Sequence, residues 1–442
     1  MINKYFYTLL HKYLSFYIFP EDKMVELDPK TPNLFELFTN KTKHILHIDE
    51  KAGEQNPQLS AATEALAEID PDYVVLNGNL HYIRDIQAYL ERLHCICKKE
   101  TKLIITYYSA LWRPLLRLAN VLRIRRKMPE QNWISNEDMS NLLCLAGFEI
   151  VKVDNKVLIP AYLPVVSNFI NHFLAPLPFF RLFNMVNILV ARPILREGIA
   201  SQLPSVSVII PARNESGNIE NAILRLPKMG PADEIIFVEG NSTDNTWQEI
   251  LKVQRKYHPR HNIKVAQQEG KGKGDAVRKG FAIATNEIVM ILDADLTVSP
   301  EDLPKFYKAI IDNKGEFING CRLVYPMEKE AMRFINMIGN KFFAIAFSFV
   351  LGQKLKDTLC GTKVLSRRNY LKIKEHRAYF GNFDPFGDFD LIFGASRLGL
   401  KTIEVPIVYK ERVYGTTNIQ RWKHGLILLR MLLFAARKIK FL

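Results

Sequence analysis

Two carboxylates one residue apart, Asp293 and Asp295, end the apolar run Ile288-Val289-Met290-Ile291-Leu292. The run reads as a buried strand, and the residues beyond it open a helix at Pro300-Glu301-Asp302. In an open parallel sheet the carboxyl ends of the strands form the ligand crevice. A pair of hard oxygen ligands at that place suits a divalent cation that keeps coordination positions for phosphate oxygens. The tripeptide alone also reads as a solvated loop with a helix-capping acid, so the neighbouring segments decide.

Three preceding segments have the same design. SVSVIIPARNESGNIENAI gives a strand over Val206 to Ile210, a proline-containing turn, and a helix opening near Ser216-Gly217. EIIFVEGNSTDNTWQEI gives a strand over Glu234 to Val238, a polar turn Glu239-Gly240-Asn241-Ser242, and a helix from about Asp244. IKVAQQEGKGKGDAVRKGFAIA gives a strand, a basic glycine-rich loop and a helix. Right-handed crossovers bring all four polar loops to one edge of one sheet, which favours a nucleotide crevice. In the third loop the glycines let backbone N–H groups approach a phosphate, and Lys271, Lys273 and Arg278 offset its charge.

From about Ser205 to Arg412 these ordered motifs resemble the family 2 inverting glycosyltransferases of the GT-A fold, most closely the branch that mannosylates dolichol phosphate. The resemblance implies that Pro211, Arg213 and Glu215 meet the nucleotide base and ribose. Glu239 stands where the family has the first Asp of a VDDGS-type turn, with Gly240 in place of the second acid. Lys271, Lys273, Gly274 and Arg278 match the basic loop facing the nucleotide. Asp293 and Asp295 occupy the DxD positions, implying Mg2+ or Mn2+, and Thr297 stands where the branch often has Gln. Arg322 matches an arginine near the donor phosphates. Asp390 falls at the acid of an ELL-type helix, the general base for a hydroxyl acceptor, with Asp388 as substitute. DTLCGTKVLSR, Asp357 to Arg367, matches the acceptor-side loop, with Cys360 in a serine's place. Lys410 and Arg412 lie on the segment that closes over donor and acceptor phosphates. The implied chemistry is inverting transfer from a nucleotide-sugar, with Asp390 taking a proton only if the acceptor is a hydroxyl.

Residues 44 to 200 alternate strands and helices: strands at His44–Ile48, Asp72–Leu76, Lys102–Tyr107, Phe148–Val153 and Val186–Ala191, with helices between. From Asp72 to Pro193 the order resembles the second half of a class I S-adenosylmethionine-dependent methyltransferase. The family's glycine-rich loop after the first strand is missing, since the matching place reads HIDEKAGEQNPQLS with the single glycine Gly53. A degenerate, structural domain that binds no cofactor is expected. PILREGIASQLP marks the boundary. The fold class expected is α/β: a truncated Rossmann-like domain over 1–200, a GT-A domain over 201–418, and a basic amphipathic helix over 419–442.

Composition sets the partners. A net charge of +14 over 442 residues points to anions: nucleotide phosphates, acidic headgroups or nucleic acid. The five scattered cysteines, an odd number, suit a reducing compartment. No uninterrupted apolar run reaches the ~18 residues of a membrane span. The C-terminal stretch carries Leu426, Leu429, Leu433 and Phe434 together with Arg421, Lys423, Arg430, Arg437, Lys438 and Lys440. It reads either as a helix lying on an anionic membrane surface or as one packed on the protein; Phe342 to Leu351 is a second apolar stretch. The leading expectation is transfer to a lipid phosphate or other membrane acceptor on the cytoplasmic face, with no nucleic-acid partner. A non-catalytic anion-binding protein and a bifunctional methylating enzyme are the alternatives.

Overall fold

In the computed structural model the chain divides into two compact units, Met1–Glu197 with Ile439–Leu442, and Gly198–Lys438. Residues 2–48, 65–66, 68–122, 132–195, 203–258, 260–324, 334–381, 387–410, 412, 414 and 421–442 are described.

The first unit is a six-stranded sheet in the order β2-β1-β3-β4-β6-β5. Its strands are β1 (Met24–Leu27), β2 (Lys43–Leu46), β3 (Tyr73–Asn77), β4 (Lys102–Tyr108), β5 (Phe148–Lys156) and β6 (Val186–Pro193). The first four run parallel, while β6 is antiparallel to both β4 and β5. Helices α1 (Ile2–Leu14), α2 (Ile86–Ile96), α3 (Arg113–Val121) and α4 (Asn136–Leu145) are the longer ones among its described residues. The α4 start at Ser135 is a full capping box, with Asp138 N–H donating to Ser135 Oγ at 3.0 Å and Ser135 N–H to Asp138 Oδ2 at 3.1 Å.

One expectation needs correction here. His44–Ile48 is not the first strand: β1 precedes it and sits between β2 and β3. The loop to inspect for glycines is therefore the one after Leu27, which begins Asp28-Pro29-Lys30 and reaches β2 without a glycine. Most of the HIDEKAGEQNPQLS stretch lies outside the described residues.

The second unit is built on a seven-stranded sheet, β13-β11-β12-β10-β7-β8-β9. The strands are β7 (Val206–Ala212), β8 (Asp233–Glu239), β9 (Asn262–Gln267), β10 (Ile288–Ile291), β11 (Phe317–Cys321), β12 (Lys363–Ser366) and β13 (Thr402–Pro406). All pairings are parallel except those of β12, which is antiparallel to β10 and β11. This is the mostly parallel α/β GT-A class expected. The run Val206-Ser207-Val208-Ile209-Ile210 is buried along its whole length, as in a sheet covered on both faces. Four of its helices are used below: α5 (Lys273–Ile283), α6 (Phe334–Leu351), α7 (Phe389–Arg397) and α8 (Arg421–Ala435). Among the described residues no helix is long and apolar enough to cross a membrane.

Candidate active site

The site forms where β7, β8 and β10 end. β10 stops at Ile291, and Asp293 and Asp295 follow in a turn closed by Leu296 N–H donating to Asp293 O at 3.1 Å. Leu296 takes a left-handed conformation, φ 54°. That turn points the two carboxylates at different cations. Lys273, first residue of α5, places Nζ 2.6 Å from Asp293 Oδ1. Arg412 places Nη2 2.5 Å from Asp295 Oδ2 and Nη1 3.2 Å from Glu215 Oε1.

Arg412 reaches this position because its segment is clamped upstream. β13 pairs with β11 through Cys321↔Pro406, Val298 bridges Tyr409, and Lys410 N–H donates to Thr297 O at 3.0 Å. Downstream, the Tyr414 and Ser216 hydroxyls lie 2.9 Å apart. Thr297 supports the acid as well: its hydroxyl and N–H donate to Asp295 Oδ1 at 2.8 and 3.1 Å.

Electrostatics follow from burial and pairing. Burial alone would raise the Asp293 carboxyl, but the Lys273 ammonium, with Lys363 and Arg322 behind it, holds it below the usual carboxylate range. Burial pulls Lys273 down, and Asp293 and Asp388 outweigh it and raise it. Glu215 goes the other way: burial raises it to about 7, against the hydrogen bond from Asn218 and the charge of Arg412. Near neutral pH the Glu215–Arg412 contact therefore sheds its ionic character as pH falls through about 7.

Two close backbone approaches make room for these charges. A Cβ on Gly361 would lie 2.0 Å from Asp293 Oδ2 and 2.3 Å from Lys273 Nζ, so only glycine fits. Gly274 and Gly387 meet backbone to backbone, a Cβ on Gly387 falling 2.4 Å from the Gly274 Cα, and Gly387 is at φ 80°. This contact sets Asp388 beside the start of α5. Asp388 Oδ1 lies 3.3 Å from Nζ of Lys363, a fully buried lysine that also donates to Cys360 O.

The remaining sequence-derived residues divide by environment. Asp390, in the first turn of α7, is buried and ion-paired to Arg377. Arg322 is held by Asp357 through Nε at 2.7 Å and Nη2 at 2.9 Å, over the Tyr409 ring. Glu239 is buried and spans its own turn, accepting from Ser242 N–H at 2.5 Å and Gln267 Nε2 at 3.2 Å. Arg278 lies 3.5 Å from Asp275 Oδ1, and Asp275 Oδ2 accepts from Gly270 N–H at 2.7 Å. Arg213 and Lys271 are exposed, and Pro211 is half-buried in β7. Lys363 and Gly361 were not singled out as site residues, although both lie in the DTLCGTKVLSR stretch.

The paired acids fit a divalent ion by donor chemistry. They are hard carboxylate oxygens, and among the described residues no group of three or more His, Cys, Asp or Glu forms a full cage. That is the donor set of a magnesium-type ion completed by water and substrate phosphates.

Residues 207–373 match the family model "Glycosyl transferase family 2". The dolichyl-phosphate beta-glucosyltransferase of Saccharomyces cerevisiae is 31% identical over 230 residues, covering 47% of this chain and 67% of that protein. The chain belongs to glycosyl transferase family 2. Glycosyltransferase AglJ of Haloferax volcanii is 28% identical over 50% of this chain and 68% of its own. For the dolichol-phosphate mannosyltransferase of Pyrococcus furiosus the figures are 28%, 49% and 59%, so the match spans about three fifths of that relative's length. Among solved structures, glucosyl-3-phosphoglycerate synthase from Mycobacterium tuberculosis is similar with a TM-score of 0.40 and 19% identity, over 54% of this chain and 81% of that one. A likeness at that level says nothing about ligands. The family 2 match lies within the second unit and spans Lys273, Asp293 and Asp295, while Arg412 lies beyond it.

Proposed function

We propose that this family 2 enzyme is a divalent-metal-dependent, inverting glycosyltransferase that moves a sugar from a nucleotide-sugar to a polyprenyl phosphate at a membrane surface. The observation that carries the reading is the chain of alternating charge Lys273–Asp293 and Asp295–Arg412–Glu215 at the strand ends. The names of several relatives, which include dolichol- and undecaprenyl-phosphate transferases, support the acceptor class.

A divalent ion held by Asp293 and Asp295 would supply positive charge to the departing diphosphate. The chain's own residues do the rest. Lys273, at the start of α5, brings an ammonium and a helix N-terminus to the same place. Arg412 carries a planar fork of donors suited to phosphate, now spent on two carboxylates, and the Tyr414–Ser216 contact holds its segment over the loop after β7. Asp390, paired with Arg377, stands as an ion-pair partner rather than as a base released toward an acceptor. A phosphate acceptor is already anionic and needs no base.

A test separates the acceptor classes. With a polyprenyl phosphate, Asp390→Asn keeps transfer within about tenfold of wild type, while Arg412→Ala loses it by about 100-fold, the scale of one preorganised charge-stabilising donor. If the acceptor is a hydroxyl, the order reverses, and that result in a radiolabelled-sugar assay rejects the lipid-phosphate reading.

The membrane part rests on α6 and α8. Leu428, Met431 and Ala435 of α8 are buried, whereas Leu426 and Leu433 are 52% and 64% exposed, beside exposed Arg430 and Arg437. Helix α6 exposes Phe342 and Ile345 at 56% and 66%. An apolar stripe edged by cations suits an anionic bilayer surface. Lys440 leaves the set of headgroup-facing cations: it is buried in the first unit, with Nζ 2.7 Å from Asp154 Oδ1.

For the first unit we infer a degenerate methyltransferase-like domain without S-adenosylmethionine binding. The strand order β2-β1-β3-β4-β6-β5 with antiparallel β6 supports the likeness, and the glycine-free turn after β1 supports the loss of cofactor. Titration calorimetry of the full chain is expected to give no heat of binding; micromolar affinity for S-adenosylmethionine reverses the inference.

A further inference from the structure

The first unit carries an apolar surface that neither its fold nor the transfer reaction uses. Helix α3 turns only Leu116 inward, while Leu115, Leu118 and Val121 are 54%, 54% and 78% exposed. A second stretch, between β5 and β6, exposes Phe169 at 54%, Phe179 at 66% and Leu182 at 66%. The two stretches are tied together: Trp112 Nε1 donates to Phe183 O at 2.7 Å, and Ser109 N–H to Met185 O at 2.8 Å. Soluble proteins rarely leave so continuous an apolar surface open unless something covers it.

Charge says what covers it. Residues 101–129 and 155–196, which supply both stretches, contain no Asp or Glu. Arg113 and Arg117 of α3 are exposed beside its leucines, and the sequence continues with Arg123, Arg125, Arg126 and Lys127. Protein partners are usually met with both signs of charge. A second copy related by a twofold axis would set this same basic, acid-free face against itself. Apolar side chains among cations with no acid match an anionic lipid surface, where the leucines and phenylalanines enter the headgroup boundary and the arginines meet phosphates. We propose that this face, formed by α3 and the segment 162–183, is a second membrane-docking surface, independent of α6 and α8.

This inference extends the membrane reading of the enzyme but rests on the first unit alone. The test uses the full chain in sedimentation with phosphatidylcholine vesicles, with and without phosphatidylglycerol. Three double variants are compared: Arg113→Glu with Arg117→Glu, Leu115→Ser with Leu118→Ser, and Leu426→Ser with Leu433→Ser on α8. Both first-unit variants are expected to bind anionic vesicles at least about tenfold more weakly, and to keep wild-type release of nucleoside diphosphate from the donor. The arginine variant changes only exposed side chains, so its result stands even if the leucine variant folds poorly. Unchanged vesicle binding by the arginine variant overturns the proposal. So does a larger species in light scattering that the first-unit variants reduce to monomer while vesicle binding stays the same, because the face would then join two copies. Full binding by the α8 variant, with loss in the first-unit variants, removes the α8 surface and leaves this one standing.

Discussion

Asp293→Asn and Asp295→Asn are each expected to lower nucleoside diphosphate release by about 100- to 1000-fold, the scale of removing one preorganised charge-stabilising group. Both lose a carboxylate oxygen charge at the proposed cation, but they disturb different neighbours. In Asp293→Asn the ammonium of Lys273, 2.6 Å away, loses its closest counter-charge. In Asp295→Asn it is Arg412 that is released, keeping only Glu215 at 3.2 Å among the two acids it bridges. Manganese titration followed by electron paramagnetic resonance separates metal from electrostatics: each variant is expected to lose Mn2+ affinity whether or not donor is present. Turnover unaffected by a chelator, or wild-type Mn2+ affinity in both variants, removes the metal role. The pH dependence has a defined sign. Because Asp293 is depressed below its unfolded value, the stability that its pairing contributes is present above the ordinary carboxylate range and disappears as pH falls through the lower, folded value.

Much of this site was legible because the fold class makes position carry meaning. A strand such as Val206–Ala212, apolar but for Ser207, reads as internal, and a polar residue directly after it lies at the sheet edge. Hence Lys273, Asp293 and Asp295 could be gathered at one sheet edge from the strand–loop–helix pattern, while Glu215 came only with the family resemblance. Partners were not legible. Nothing in the spacing links Arg412 to Asp295 across 117 residues, because that contact depends on how Tyr409 and Lys410 run beside Val298 and Thr297. Asp388 and Asp390 illustrate the same limit. They lie two apart at the start of α7, yet one joins Lys363 and the other Arg377, since a helix turns about 200° over two residues.

The first unit hid more. Strand β1 is four residues, Met24-Val25-Glu26-Leu27, with a carboxylate in the middle, and no periodicity argument finds a strand that short. Yet it is internal, between β2 and β3, and Glu26 is wholly buried, pushed up by burial to about 7. Strand β5 misleads in another way. Lys152, Asp154 and Lys156 alternate with Val153 and Asn155, a pattern that reads as a polar face toward solvent. The register shifts between Ile150 and Lys152, which puts Val153 on the core face with Phe148 and Ile150 and leaves the charged residues on the opposite face, covered by Tyr13, Tyr17 and Lys440 rather than by solvent.

That covered face gives the largest expected effect on stability. Asp154 is a single buried carboxylate among cations: Lys440 Nζ at 2.7 Å, Lys152 Nζ at 3.1 Å and Arg181 Nη2 at 4.0 Å, with the Tyr17 hydroxyl at 3.3 Å. Lys156, also buried, donates to Lys440 O at 2.9 Å and lies over the Tyr13 ring. Burial would raise Asp154, but the three lysines hold it well below the carboxylate range; burial pulls Lys156 down to about 7 in spite of Asp154. Asp154→Ala leaves buried ammonium groups without their counter-charge and is expected to destabilise the first unit by about 3–5 kcal/mol. The loss depends on pH with a fixed sign. Without the carboxylate the buried lysines release protons more readily when folded than when unfolded, so the variant gains stability as pH rises and the gap to wild type narrows between pH ~6 and ~9. Hydrogen exchange of the β5 peptide in the full chain, measured at both pH values, reads the gap locally. A difference below about 1 kcal/mol, or one that stays constant across that range, means the lysines are solvated in solution and the buried cluster does not hold this end of the sheet.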